Sequence, residues 1–370
     1  MKKVLYTATV LSHICQFHLP YLKAFKENGY EVHVAAKDNL AEKNGLALNY
    51  ADKFFEVPFS RSPKSLQNIK ALKQLKKLLK EEYYDLIVCN TPMGGIITRM
   101  AAKKTRKKGT KVVYMAHGFH FYKGAPKKNW LVFYPIEKHF AKKCDVVITI
   151  TDEDYRFASQ KFKTKVVRMH GAGVDGERHI FVGIDEKLSI RDELGINRED
   201  FVCLCVGELN ANKNQSQIVA SVPKLKEKIE GFKLILAGNG KTKEDLERQI
   251  KELGVEKEVV LVGYQPKIER YVRACDVVLS ASKREGLPFN VVEAMLAKKP
   301  VVVSENRGHR ELVKDGETGF MTNDIKQFED AIIKLYKDQE LYLDIAEKAY
   351  SYAKAYTVQS TIEEFRSILE

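Results

Sequence analysis

Short apolar runs rich in β-branched residues recur along this chain, each followed by a stretch whose apolar residues fall at helical spacing, and this alternation constrains the fold more than any other feature. KVLYTATV, YEVHVAA, YDLIVCN, KVVYMAH, CDVVITI and KVVRMHG form a first series; FVCLCVGE, FKLILAG, EVVLVGY, CDVVLSA and PVVVSE form a second that begins after residue 180. Runs that are apolar on both faces and separated by helices are what a parallel sheet covered on both sides requires. The reading is α/β, with two Rossmann-like domains of parallel sheet. A length of 370 residues suits two domains of ordinary size. The boundary is expected just after HGAGVD (residues 170–175), giving domains 1–178 and 179–354. No long Pro/Ser-rich linker separates the halves, so a tight cleft is expected. Residues 355–370 read as an amphipathic helix. AKKCDVVITIT and VRACDVVLSAS correspond between the halves, too briefly to establish duplication.

Composition sets the outer limits. At 44% hydrophobic and 10% aromatic the chain is globular rather than disordered. No apolar run approaches the roughly 20 residues of a membrane span, and Met-Lys-Lys leads directly into the first apolar run without a signal-peptide pattern, so a cytoplasmic location is expected. The six cysteines are scattered, and Cys203-Leu-Cys205 lacks the second close pair of a zinc site; buried reduced thiols are expected.

Charge is uneven. Residues 1–180 hold 33 Lys/Arg against 16 Asp/Glu, and residues 181–370 hold 29 against 33, so the net +13 sits in the first half. From Leu86 to Ile136 there are ten basic residues and no acidic one, including Lys103-Lys104-Thr105-Arg106-Lys107-Lys108. A polybasic surface gains about 1 kcal/mol per Lys or Arg beside anionic lipid, so the first half is expected to hold the protein peripherally on an anionic membrane. Upstream, Leu66, Ile69, Leu72, Leu75 and Leu79 share one face of a lysine-rich helix, read as packed on a sheet. No zinc finger, RNP or other nucleic-acid module accompanies the basic residues, so nucleic acid is not expected as a partner.

The chemistry concentrates in KREGLPFNVVEAM, where Glu285 and Glu293 are separated by seven residues. CDVVLSAS reads as a strand, Gly286 and Pro288 break it, and Asn290-Val-Val-Glu293 opens a helix. The N–H groups and positive dipole end at such a start favour a phosphate. Carboxylates on either side would accept hydrogen bonds from the sugars flanking a diphosphate. Asn290 with Glu293 equally fits a capping box with no ligand.

The wider segment SKREGLPFNVVEAMLAKKPVVVS resembles the signature of retaining glycosyltransferases of family 4, whose GT-B fold sets two Rossmann-like domains across a deep cleft. The resemblance implies that Glu285 contacts the donor sugar at the reaction centre, that Glu293 holds the nucleotide ribose, and that Gly286, Leu287, Pro288, Phe289 and Asn290 bind the diphosphate. VGELNANKN resembles the family segment in which glycine is followed by arginine and, five residues later, lysine. Here Gly207 and Lys213 keep their places but Glu208 replaces the arginine and removes the bidentate phosphate grip, so either another cation such as Arg284 compensates or Glu208 binds something other than phosphate. Gly263 and Tyr264 match the segment bordering the base, where Tyr264 equally reads as a core aromatic. Gly238 and Gly240 form a glycine turn after FKLILA, but a P-loop needs glycine where Ile235 stands and a dinucleotide fingerprint a third glycine or alanine where Lys243 stands. They are kept as donor-loop candidates, beside the plainer reading of a strand-to-helix turn.

In the first half, KVVYMAHGFHFYKGAP ends a strand at His117, which matches the histidine that family 4 places beside the transferred sugar. TATVLSHICQFHLPYLKAFKENGYEVHVAA, NTPMGGIITRMAA and AHGFHFYKGAPKKNWLVFYPIEK extend the resemblance to the Eps-type exopolysaccharide and capsule subgroup. It implies a first domain that holds the acceptor, often a sugar on undecaprenyl diphosphate, with His13, Phe17, His18, Tyr122 and Lys123 as acceptor-side candidates, and a final helix (residues 355–370) that packs back on that domain. The expected reaction is transfer from a nucleoside diphosphate sugar, with UDP as the family-weighted nucleotide and with retention at the anomeric carbon. No cofactor is expected, and no metal, because no acidic cluster accompanies the diphosphate loop. A nucleotide-sugar epimerase and a non-catalytic nucleotide-sugar binder are the alternatives.

Overall fold

In the computed structural model, which describes residues 1–42 and 45–369, the apolar runs become two wholly parallel sheets in two compact units. The first unit comprises Met1–Gly173 and the C-terminal stretch from Val358; the second is Val174–Thr357. The first sheet contains β1 (Lys3–Val10), β2 (Glu31–Lys37), β3 (Lys53–Glu56), β4 (Leu86–Asn90), β5 (Lys111–Ala116), β6 (Val146–Thr149) and β7 (Lys165–Arg168), in the order β3-β2-β1-β4-β5-β6-β7. The second contains β8 (Phe201–Val206), β9 (Phe232–Ala237), β10 (Val259–Gly263), β11 (Val277–Ser280), β12 (Val301–Ser304) and β13 (Phe320–Thr322), in the order β10-β9-β8-β11-β12-β13. Each order runs one way from its first strand and then reverses. The reversal lies between β1 and β4 in one sheet and between β8 and β11 in the other. Loops leaving the carboxyl ends of those two strands diverge, which is where ligands enter such sheets.

Some central strands are buried end to end. All five residues of β4 and all four of β11 are buried, because helices cover both faces. Each fully buried Val, Leu or Ile contributes about 1.5–3 kcal/mol, so truncating Ile87, wholly enclosed in the first core, would cost about 2–5 kcal/mol. The helix Gln67–Glu81 packs on this core through Ala71, Leu75, Leu78 and Leu79. Leu66 and Ile69, expected on the buried face, are exposed, and the polar Asn68 is buried instead because it caps a turn by donating to Ser62 O (2.8 Å).

The two CDVV segments do not occupy equivalent strands: one is the sixth strand of its sheet in chain order and the other the fourth of its own. Their likeness has a local cause. Asp145 accepts the N–H of Val112 (2.7 Å) and pairs with Arg106; Asp276 accepts the N–H of Val202 (2.7 Å) and pairs with Arg191. In both, an aspartate just before a strand ties down the start of its neighbour. All six cysteines are free and buried.

The unit boundaries differ from 178/179 and 354/355. Val174 N–H donates to Tyr356 O (2.9 Å) and Val174 bridges Thr357, so the chain joins the second unit there; Tyr356, buried against that core, keeps residues 354–357 in it. The helix Val358–Leu369 belongs to the first unit, with Phe365 edge-on to Tyr21 (5.3 Å) and Glu364 accepting the N–H of His170 (2.9 Å). Among the described residues no helix is long and apolar enough to cross a membrane.

Candidate functional site

In the second unit the loops after β8 and β11 meet at the sheet's reversal point and are stitched together. Lys283 N–H donates to Asn212 O (2.8 Å), Asn212 Nδ2 donates to Arg284 O (3.0 Å), and Lys213 Nζ pairs with Glu285 Oε1 (2.7 Å). Gly207, at φ 156°, lets the Lys213 stem pass, since a Cβ there would lie 3.2 Å from its Cε. Ser304 Oγ and Asn306 Nδ2 both donate to Ser282 O (2.7 Å each), fixing the base of the loop, and Gly308 allows the helix Arg307–Leu312 to press on it. The loop then turns into the helix Phe289–Leu296 through Pro288. Asn290 does not cap that helix: its Nδ2 donates to Val206 O (3.1 Å), tying the helix to the end of β8. Leu287 and Phe289 pack their side chains against the core.

Glu293 lies on the first turns of that helix. Burial raises its carboxyl to about 7, against a smaller opposing pull from Arg178. His179 Nε2 stands 3.7 Å from its Oε1, within ion-pair range, but burial lowers that imidazole to about 4, so near neutral pH the contact is between a carboxyl and a neutral ring. Near neutral pH such a carboxyl is partly ionised and can accept hydrogen bonds from hydroxyl groups.

The remaining donor-side candidates divide. Glu208 is exposed, its carbonyl accepting Gln215 Nε2 (3.1 Å), and Arg284 is exposed as well. Tyr264 is 69% exposed, which excludes a core role, and follows Gly263 at φ 68°. Gly238 and Gly240 face backbone: a Cβ would sit 2.0 Å from Gly207 O and 2.1 Å from Leu209 O respectively. Close approach of two loops therefore explains both glycines.

In the first unit the strand ends around the other reversal point gather histidines. His13 lies on the helix Leu11–Phe17 that follows β1, His18 is the next residue after that helix, and His117 follows β5. His13 Nε2 and His117 Nε2 are 3.3 Å apart, and His117 Nε2 is 3.3 Å from Asn90 Oδ1 at the end of β4. The rings of His13 and Phe17 are 5.1 Å apart. Burial lowers all three imidazoles, His117 to about 4, so they are neutral at pH 7. Tyr122 and Lys123 follow on the next loop, where Lys123 N–H donates to Glu153 Oε1 (2.6 Å).

Sequence reasoning did not name Asn90, His179 or His309. Asn90 and His309 each follow an apolar run, at the ends of β4 and near β12, and could have been found by treating every strand end as a site position. His309 Nδ1 approaches Ser304 O (2.6 Å) while its buried Nε2 has no partner. Nothing local marks His179.

Comparison with known proteins follows the same division. Residues 186–352 match the family Glycosyl transferases group 1, and residues 3–151 match Glycosyl transferase 4-like. EpsD of Bacillus subtilis (strain 168), named by assignment a glycosyltransferase, is 41% identical over 99% of this chain and 96% of its own length. A UDP-Gal:alpha-D-GlcNAc-diphosphoundecaprenol alpha-1,3-galactosyltransferase of Escherichia coli is 28% identical over 82% of this chain and 80% of its own. Among solved structures, HepE of Anabaena in complex with UDP superimposes with a TM-score of 0.79 at 21% identity, covering 100% of this chain and 99% of HepE. That likeness establishes the GT-B fold.

Proposed function

Because the chain belongs to the group 1 glycosyltransferases of the family 4 type, we propose that it acts in polysaccharide synthesis, moving a sugar from a UDP-sugar to a lipid-linked acceptor with retention at the anomeric carbon. The observation that carries the donor assignment is the convergence of Lys213, Glu285 and the start of the helix Phe289–Leu296 where the second sheet reverses. The E. coli relative, by its name, uses UDP-Gal and a diphosphoundecaprenol-linked acceptor, which supports the same classes here.

Glu285 pairs with the Lys213 ammonium. A diphosphate competes for that cation, and its arrival frees Glu285 to accept a hydroxyl of the transferred sugar. The positive dipole end of the helix completes the phosphate cradle, while the N–H groups of Val291 and Val292 donate to Pro288 O (3.1 and 3.4 Å). Glu293 takes the ribose hydroxyls. As the bond between C1 and the phosphate oxygen breaks, charge grows on the diphosphate, and these fixed donors stabilise it most at that point. The acceptor hydroxyl attacks C1 from the same face and its proton passes to the leaving phosphate, so no side-chain base is needed and the released product is UDP. Lys213 and backbone dipoles neutralise the diphosphate without a metal. His117, neutral through burial, positions the sugar by hydrogen bonding.

The acceptor side is assigned to the first unit, with membrane contact through its basic surface. Leu131 and Val132, 78% and 51% exposed on the helix Lys127–Ala141, stand beside Lys127 and Lys128, a pairing of apolar and cationic groups suited to an anionic interface, with the protein peripheral on the inner face of the membrane.

The test is incubation with UDP-glucose, UDP-galactose and their N-acetyl forms, with and without a sugar-diphosphoundecaprenol acceptor. Acceptor-dependent UDP release and an α-linked product are expected, with His117→Ala lowering turnover while sparing donor binding. Conversion of the free nucleotide sugar without UDP release would instead identify an epimerase.

A further inference from the structure

We propose that His13, His18 and His117 form a three-imidazole site for a divalent cation of the zinc type. One nitrogen from each ring lies within 4.8 Å of the others, and His13 Nε2 and His117 Nε2 are 3.3 Å apart. Ring centroids are separated by 4.5 Å (His13 to His117), 5.3 Å (His13 to His18) and 5.3 Å (His18 to His117). Zinc–nitrogen bonds of about 2.0–2.1 Å at tetrahedral angles place donor nitrogens about 3.3 Å and ring centres about 5 Å apart, so little movement is needed for three rings to share one ion.

A second observation points the same way. His18 is wholly enclosed, yet among the described residues neither of its ring nitrogens has a hydrogen-bond partner; the hydroxyl of Tyr6, whose ring centroid is 5.8 Å from that of His18, also has none among them. A buried polar atom left unpaired costs about 1–3 kcal/mol and calls for a reason. A shared proton between His13 and His117 accounts for two of the rings and leaves His18 idle; a cation gives all three a role. The donor set contains neither carboxylate nor thiolate, and neutral imidazoles suit zinc, nickel, copper and cobalt rather than magnesium or calcium. His13 and His117 are only half-buried, which leaves a path for the ion and an open fourth position.

Cation binding does not depend on the transfer reading, but one consequence does: an ion on His117 withdraws that ring from the sugar and opposes turnover. The experiment uses the tag-free full chain, stripped with a chelator, titrated calorimetrically with Zn²⁺ and spectroscopically with Co²⁺. One equivalent per chain is expected, with visible d–d bands for Co²⁺. His13→Gln and His18→Phe should each weaken Zn²⁺ at least about 100-fold, with circular dichroism and the thermal shift given by UDP-sugar as checks on folding. His13→Gln keeps the test decisive if His18→Phe does not fold, because His13, unlike His18, is not fully enclosed. Absence of stoichiometric binding, or binding unchanged in the folded variants, overturns the site. Binding that is lost in the variants while wild-type turnover ignores Zn²⁺ retains the site and overturns its effect on transfer. Failure of UDP-sugar binding with intact Zn²⁺ binding overturns the donor reading alone.

Discussion

Replacing Glu293 with Gln should flatten the pH dependence of donor binding. Burial holds this carboxyl near 7, so about a tenth of it is ionised at pH 6 and about nine-tenths at pH 8. If ribose hydroxyls donate to the carboxylate, donor affinity in the wild-type chain rises about tenfold across that interval, about 1.4 kcal/mol. A UDP-sugar suits the assay because its diphosphate diester does not titrate there. Gln keeps the shape but loses the charge, and a hydrogen bond to a charged group is worth about 1.5–3 kcal/mol. The variant should therefore bind about 10- to 100-fold more weakly at pH 8 and with no slope between pH 6 and 8, by calorimetry. A slope that survives in Glu293→Gln, or a flat wild-type profile, refutes the assignment. Stability supplies a second readout with its own sign. The folded chain keeps this proton to about pH 7, whereas an unfolded glutamate releases it near 4.5, so the stability contributed by the neutral form is complete below about 4.5 and is lost as pH rises through about 7. That gap corresponds to about 3 kcal/mol. Glu293→Gln, which never ionises, should gain in unfolding temperature relative to wild type at pH 8 but not at pH 5.

Glu208→Arg should restore the missing phosphate cation and tighten UDP-sugar binding about tenfold, with Lys213→Ala weakening it by about 10- to 100-fold; both are read by calorimetry at fixed salt. Gly240→Ala places a methyl group 2.1 Å from Leu209 O, so it should cost about 3 kcal/mol or more and lower the unfolding midpoint even without ligand. The protein should co-sediment with anionic vesicles at low salt and be released as salt rises, and Leu131→Ser with Val132→Ser should weaken that retention without altering UDP-sugar affinity.

What the sequence revealed follows from which interactions are local. Nine of the eleven legible strands are central, and central parallel strands must be apolar on both faces, a demand that writes itself into consecutive residues; the edge strands β7 and β10 were legible through their own short apolar runs. The two missed were β3 and β13, both edge strands. Lys53–Glu56 is largely exposed, and Phe320–Thr322 is only three residues long, so neither carries a continuous apolar run. The loop of Glu285 was legible for a similar reason: glycine, proline and a helix start lie within a few residues of one another.

The pairings were not legible, since each joins loops that the sheet order brings together. Lys213 meets Glu285 because β8 and β11 are neighbours across a reversal, although 72 residues separate them. His117 meets His13 and Asn90 because β1, β4 and β5 lie side by side in the other sheet. A list of strand runs in chain order does not contain that adjacency. It becomes available only with the rule that each sheet reverses beside its first strand, and applying the rule to the sequence would have directed attention to the residues after β1 and β4 and after β8 and β11. Those four segments hold His13, Asn90, Lys213 and Glu285. The same rule explains why Glu208 is an informative departure. It lies in the loop after β8 at the reversal point, where such sheets take ligands, so a carboxylate there would change the loop's partner or strength while leaving its place in the fold unchanged.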